Sequence, residues 1–185
     1  MEKADIRVRG LLISQQRDLL RKTAGDRYSS ALLRVPEQAR EEYESVGVLS
    51  WCRQSSARAV TEAVAVELDR SPIEMTRYVV ETSTRAALRG PWAVLLRMMT
   101  DDDAIVRRAS VIFEKAFDRG TLRATQLDSR LWRVKLEGWP QAHAMDIESI
   151  ACGMSTLLDV LNRPATVSIS RRGAIIDYTI ALTPP

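Results

Sequence analysis

Two stretches near the end of the chain alternate so regularly that they admit little but strand. In "RLWRVKLEG", Trp132, Val134 and Leu136 fall on one face and Arg133, Lys135 and Glu137 on the other, a period of two that only a half-buried β-strand satisfies. In "AIIDYTIAL", Ile176, Tyr178, Ile180 and Leu182 form a second such face. Each has a partner beside it. "TLRATQL" precedes the first across a tight "DS" link, and "ATVSIS" precedes the second across "RRG". Between the two pairs lies "AHAMDIESIACGMSTLLDVLN", long enough and apolar enough for a buried helix, with Asn162 and Pro164 as its stop. The C-terminal half therefore reads strand, strand, helix, strand, strand, with one sheet face packed on helices and the other facing water or a partner.

The first hundred residues read differently. "DIRVRGLLI" predicts a short strand bending at or before Gly10. A helix follows through "SQQRDLLRKTAG", with Ser14 as its cap and Gly25 as its stop. Asp26 can cap a short helix, Pro36 suits a first helical position, and Gly47 follows the end of that helix. "VLSWCRQ" reads as a connector anchored by Trp51. "SARAVTEAVAVELD" has a broad apolar stripe and reads as a buried helix. "SPIE" at 71–74 is a capping box, Ser71 capping and Glu74 reaching back, and opens a helix that Gly90 and Pro91 end. "WAVLLRMM" reads as a short apolar helix. "TDDD" at 100–103 opens another, its carboxylates suiting the positive end of a helix dipole rather than a metal. Ile105, Ala109, Ile112, Phe113, Ala116 and Phe117 would form that helix's core face, with Gly120 closing it. The expected architecture is a single α+β domain over 1–185: a mainly helical layer over 1–100, then a helix and a four-stranded antiparallel ββαββ sheet over 101–185.

Composition narrows the function. The net charge is +3, with 27 basic and 24 acidic residues interspersed, which describes a solvated surface more than a polyanion-binding stripe. One histidine, His143, cannot build a multi-histidine metal site, and Cys52 and Cys152 stand far apart with no zinc spacing. No window is apolar enough to span a bilayer, and the charged start is no secretory signal. Glycine-rich phosphate loops, GxSxG, HExxH and CxxC are absent. These readings predict a cytoplasmic protein that is not an enzyme and carries no metal or cofactor. Arg123, Arg130, Arg133, Lys135, Arg171 and Arg172 all fall on strands or their turns and could form a basic sheet surface. With no aromatic among them to stack bases, a solvated sheet face or an acidic protein partner suits them better than nucleic acid.

The order of several motifs, the early "RG", the tryptophan at Trp51, "RAALRGPWAVLLRMM", "FEKAFDRG" and "LEGWP", resembles the H-NOX-like superfamily. That superfamily includes haem sensors, vinyl-reductase-type small-ligand domains and TRAPP vesicle-tethering subunits, and within it the chain looks closest to a paralogous family abundant in myxobacteria. The resemblance implies the H-NOX-like α+β fold. It also implies where haem chemistry should be. A haem sensor of this kind takes its proximal histidine from the region beginning near Thr100–Ala104, which here reads "TDDDAIVRR". Its Tyr-x-Ser-x-Arg motif after the second strand is here "LEGWPQAHA", and the cysteines of vinyl-reductase-type domains are missing from "SISRRGAIIDY". The superfamily's pocket between helices and sheet would be lined here by Trp51, Trp92, Met98, Met99, Trp139 and Met154, with His143 or Cys152 as polar groups; the ordinary alternative is core packing. By analogy with TRAPP subunits Cys152 could be an acylated thiol, though a buried reduced cysteine is the plainer reading. The expectation is a non-enzymatic regulatory or signalling module that binds a partner protein as a homodimer without haem. The alternatives are a sensor of a small molecule or lipid, and a nucleic-acid-binding regulator.

Overall fold

The computed structural model describes residues 5–88, 110–139 and 142–183. The predicted features at Gly90, Pro91, Trp92, Met98, Met99, 100–103, Ile105 and Ala109 lie outside them. The chain divides into two compact units, one of residues 1–79 with 116–118 and one of residues 80–115 with 119–185.

The first unit opens with β1 (Arg7–Arg9), which pairs antiparallel with β2 (Trp51–Arg53), Val8 opposite Cys52. What reads as a connector around Trp51 is thus a strand; three residues are too few for alternation to show, and only the distant partner defines it. α1 (Gly10–Ala24) starts directly at Gly10, so Ser14 is not its cap but sits inside it, its hydroxyl donating to the Leu11 carbonyl at 3.4 Å. Gly10 takes the first position because nothing larger fits: its N–H donates to the Ser50 carbonyl at 2.9 Å, and a Cβ there would lie 1.9 Å from the Gly47 carbonyl oxygen. Gly25 ends α1 with φ +55°. α2 (Arg27–Leu32) follows Asp26, whose side chain makes no capping bond. α3 (Glu37–Ser45) begins one residue after Pro36, which occupies the cap rather than the first turn. α4 (Gln54–Glu67) buries Val60, Thr61 and Val64, as its broad stripe predicts. α5 (Pro72–Ala87) carries the expected capping box, Glu74 N–H to Ser71 Oγ at 3.1 Å and Ser71 N–H to Glu74 Oε2 at 3.2 Å. Ile13, Leu20, Tyr43, Cys52, Val60, Val64 and Met75 make this unit's core, all at 2% exposure or less.

In the second unit, residues 110–115 are helical. Phe113 is buried, but Ile112, predicted on the same face, is 52% exposed; neighbouring positions on a helix point about 100° apart and cannot both face inward on a narrow stripe. β3 (Thr121–Asp128), β4 (Leu131–Glu137), α6 (Ala144–Val160), β5 (Ala165–Arg172) and β6 (Ile175–Leu182) complete it. The sheet is antiparallel throughout in the order β3-β4-β6-β5. β5 runs through Arg172, so the turn is tighter than "RRG" suggests and centres on Gly173 at φ +62°. The second strand of each hairpin is central, which is why β4 and β6 carry the alternating apolar sets: Trp132, Val134, Leu136, Ile176, Tyr178 and Ile180 are all at 2% exposure or less. Burying each such side chain contributes about 1.5–3 kcal/mol. Among the described residues no helix is long and apolar enough to cross a membrane.

Candidate functional site

The register of the sheet sorts its side chains into two faces. Inward, Leu122 and Gln126 of β3 sit with Leu136 and Trp132 of β4, which in turn oppose Ile176 and Ile180 of β6. Outward, the two central rows are polar. One runs Thr125, Arg133, Thr179, Ser168; the next runs Arg123, Lys135, Asp177, Ser170. Arg172 shares this outer parity, opposite Ile175.

Four of the six predicted basic residues, Arg123, Arg133, Lys135 and Arg172, therefore lie on one face. The other two do not. Arg130 is in the β3–β4 turn, and Arg171 has inward parity, its guanidinium donating to the carbonyls of Ala142 and Gly173 at 3.2 Å each. The outer face is not uniformly positive. Glu137 lies 3.7 Å from Arg123 Nε and 3.9 Å from Lys135 Nζ. Asp177 is directly opposite Lys135, and its Oδ1 is buried with no hydrogen-bond partner among the described residues. Arg133 is exposed, and the residues opposite it, Thr125 and Thr179, are both hydroxyls; Arg172 is likewise exposed, opposite Ile175. Guanidinium groups flanked by hydroxyl donors can engage carboxylates bidentately.

The predicted pocket residues that are described lie on several elements. Trp51 belongs to the first unit, on β2, with the Arg9 guanidinium 4.0 Å above its ring. Trp139 is fully buried in the second, its indole N–H donating to the Arg119 carbonyl at 2.9 Å and its ring 5.5 Å from Phe113. Gly120 makes room for it, since a Cβ there would meet the indole nitrogen at 2.5 Å. Met154 is buried on α6. Cys152, two residues before it, is half-exposed, with its sulfur 3.9 Å from Thr156 Oγ1. His143 is exposed and caps α6: its Nδ1 accepts the Met145 N–H at 3.4 Å, and Asp146 Oδ2 accepts the His143 N–H at 3.2 Å. Nine residues of helix hold His143 and Cys152 about 13 Å apart along the axis.

The structure adds one group that the sequence does not announce. Trp132, 1% exposed on the inner sheet face, has an indole N–H with no hydrogen-bond partner among the described residues. A buried donor left unpaired costs about 1–3 kcal/mol. Alternation predicts where the ring goes; nothing in the sequence reveals that its N–H lacks an acceptor.

In the first unit the polar network is structural. Glu42 accepts from Arg53 N–H at 2.9 Å, Arg53 Nε at 2.6 Å and Ser56 Oγ at 2.6 Å. Burial pushes its carboxyl up, but these donors outweigh burial and hold it below the usual carboxylate range. Burial pushes the Cys52 thiol up to about 12, aided by the charge of Glu42, so it stays protonated and unreactive. Glu44 accepts from Tyr28 at 2.7 Å and pairs with Arg21. Among the described residues no group of three or more histidine, cysteine or carboxylate side chains could hold a metal ion.

No protein-family model matches the chain, and no curated protein matches it in sequence. Solved structures do match in fold. The Fe(II) unliganded H-NOX protein from K. algicida superposes with a TM-score of 0.70 at 12% identity, over 96% of this chain and 97% of that one. An H-NOX protein from S. oneidensis in the Fe(II)NO ligation state gives 0.68 at 10% identity, over 95% and 99%. A variant of T. Tengcongensis H-NOX gives 0.64 at 14% identity, over 96% and 98%. Another of these structures concerns heme distortion in the H-NOX family, so the fold raises the question of haem here. A haem iron needs an axial ligand, such as an imidazole. The chain's single histidine is exposed and holds the first turn of α6, a place that does not fit the role. The chain has the H-NOX-like α+β fold.

Proposed function

We propose that this chain is a non-enzymatic regulatory module that works without haem and binds a partner protein, acting as a homodimer. The observation that carries this reading is the outer face of the four-stranded sheet. It is partly exposed and rich in hydroxyls, and it presents Arg133 with no carboxylate opposite it. A carboxylate-bearing protein surface complements that pattern. Nucleic acid suits it less, because Glu137 and Asp177 sit among the cations and no aromatic side chain lies in the two central rows to stack a base. The misfit of His143 to an axial role supports the haem-independent part.

Quantitative affinity purification from the native host tests it, with the wild-type chain against an Arg123→Glu, Arg133→Glu double variant. A protein retained by the first and lost from the second is the expected result. Identical co-purifying sets for both would overturn the assignment of this face.

A second reading rests on Trp132. Its unpaired indole N–H would suit a small apolar ligand that carries one acceptor, bound at the inner face. Native mass spectrometry of protein purified from its host would show the added mass; a clean apo mass would remove that reading.

A further inference from the structure

Among the described residues β5 ends the sheet, and no strand pairs with its far side. Two hydrogen bonds establish which of its backbone groups point there. Thr183 N–H donates to the Pro164 carbonyl at 2.8 Å, while Leu182 N–H donates across β6 to the Arg130 carbonyl at 2.9 Å. In an antiparallel ladder successive residues turn their backbone groups to opposite sides. Thr166, Ser168 and Ser170 therefore bond toward β6, and Ala165, Val167, Ile169 and Arg171 turn their N–H and C=O groups outward. The Ala165 carbonyl accepts the Ser155 hydroxyl at 3.5 Å. Val167, Ile169 and Arg171 are left to meet another strand.

Natural sheets blunt an open edge with proline, a bulge or an inward charge; on β5 the one inward charge, Arg171, lies next to the last residue of the strand. The opposite edge, β3, is interrupted by a register shift between Gln126 and Asp128. β5 keeps unbroken register from Ala165 to Arg172. Two of its three outward residues are apolar, and Ile169 is 40% exposed.

We propose that a second copy of this chain pairs with this edge, antiparallel about a two-fold axis at Ile169, so that two four-stranded sheets become one. Outward residues must pair with outward residues, which leaves few registers. With Ile169 opposite Ile169, Val167 faces Arg171 on both sides of the axis, and all three free residues exchange paired hydrogen bonds. Sliding by two residues in one direction sets Ala165, whose carbonyl is already taken, against Arg171. Sliding in the other pushes Val167 past the end of the strand. In the proposed register Arg172 faces Thr166 and Ser168 faces Ser170, so no like charges oppose each other, and the two exposed isoleucines cover one another.

The proposal rests on the homodimer in the reading above and assigns its interface. It is tested on the full chain by sedimentation and by residue-resolved amide exchange across a wide concentration range. The expected result is a shift from 20.8 kDa to twice that mass. The amides of Val167, Ile169 and Arg171 gain protection with it, while those of Thr166, Ser168 and Ser170 are protected throughout. Ile169→Pro removes an outward N–H and no bond to β6, and should return the chain to a monomer with unchanged circular dichroism. Ile169→Lys should do the same without altering the backbone, and carries the test if the proline variant does not fold. A monomer at every concentration would overturn both the dimer and the interface. A dimer that survives both variants, its Val167, Ile169 and Arg171 amides still exchanging freely, would overturn the interface and leave the homodimer standing.

Discussion

Gly10→Ala should be among the most damaging single-methyl additions in the chain. An added Cβ would lie 1.9 Å from the Gly47 carbonyl oxygen and 2.9 Å from its carbonyl carbon. Real Cβ atoms essentially never come within 3.0 Å of another atom, so the 47–50 loop and the start of α1 must separate by at least the 1.1 Å between 1.9 and 3.0 Å. The atoms in the way are backbone, so no side chain can swing aside. The same displacement stretches the Gly10 N–H bond to Ser50, now 2.9 Å, and pulls at the adjoining Arg9–Trp51 pair. Losing one or two backbone hydrogen bonds at about 1 kcal/mol each, with about 1–3 kcal/mol of overpacking, gives roughly 3 kcal/mol. Gly47→Ala is the control: its Cβ would meet only Ser50 Oγ, at an ordinary 3.7 Å, and it should cost less than about 1 kcal/mol. Urea unfolding of the three proteins, followed by far-ultraviolet circular dichroism, measures the difference. If Gly10→Ala unfolds within about 1 kcal/mol of wild type, or if both variants lose equally, the close approach of these two backbones is wrong.

Glu42→Gln should remove about 1–2 kcal/mol at neutral pH, discounted for partial exposure, since its carboxylate accepts three hydrogen bonds. Because the folded-state carboxyl is held below its usual value, that stability is present above the ordinary carboxylate pKa and is lost as pH falls through the folded one; the gap between wild type and variant should close in acid. Denaturation midpoints measured at neutral and acid pH check it, and a gap independent of pH would refute it. Gly120→Ala, at φ +87° with a Cβ 2.5 Å from the Trp139 indole nitrogen, should cost more than about 2 kcal/mol and shift Trp139 fluorescence as the bond to Arg119 breaks. Ser71→Ala should cost about 1 kcal/mol through loss of the α5 cap, read as a small drop in the urea midpoint.

Much of this fold was legible because its central strands alternate without error. Trp132, Val134 and Leu136, and Ile176, Tyr178 and Ile180, are buried on one face as their spacing requires. The capping box at Ser71 and Glu74 was legible because its four residues are local. What failed was non-local. β2 exists only because Arg7–Arg9 lies beside it, and α1 begins at Gly10 rather than after Ser14 because a loop nearly forty residues later leaves room for no side chain there. The basic set shows the same division. Parity places Arg123, Arg133 and Lys135 together, whereas Arg171 turns inward because the strand runs through Arg172 before it turns. At the candidate site, the sequence locates Trp132 but says nothing of its unpaired N–H, since satisfaction of a donor depends on every neighbour in space.

Haem titration of the purified chain, followed by absorption spectroscopy, tests the haem-independent reading most directly. With its one histidine exposed at the start of α6, the chain should give only the spectrum of free or loosely associated haem, unchanged by His143→Ala. A saturable one-to-one complex with a sharp, ligand-shifted Soret band would contradict it.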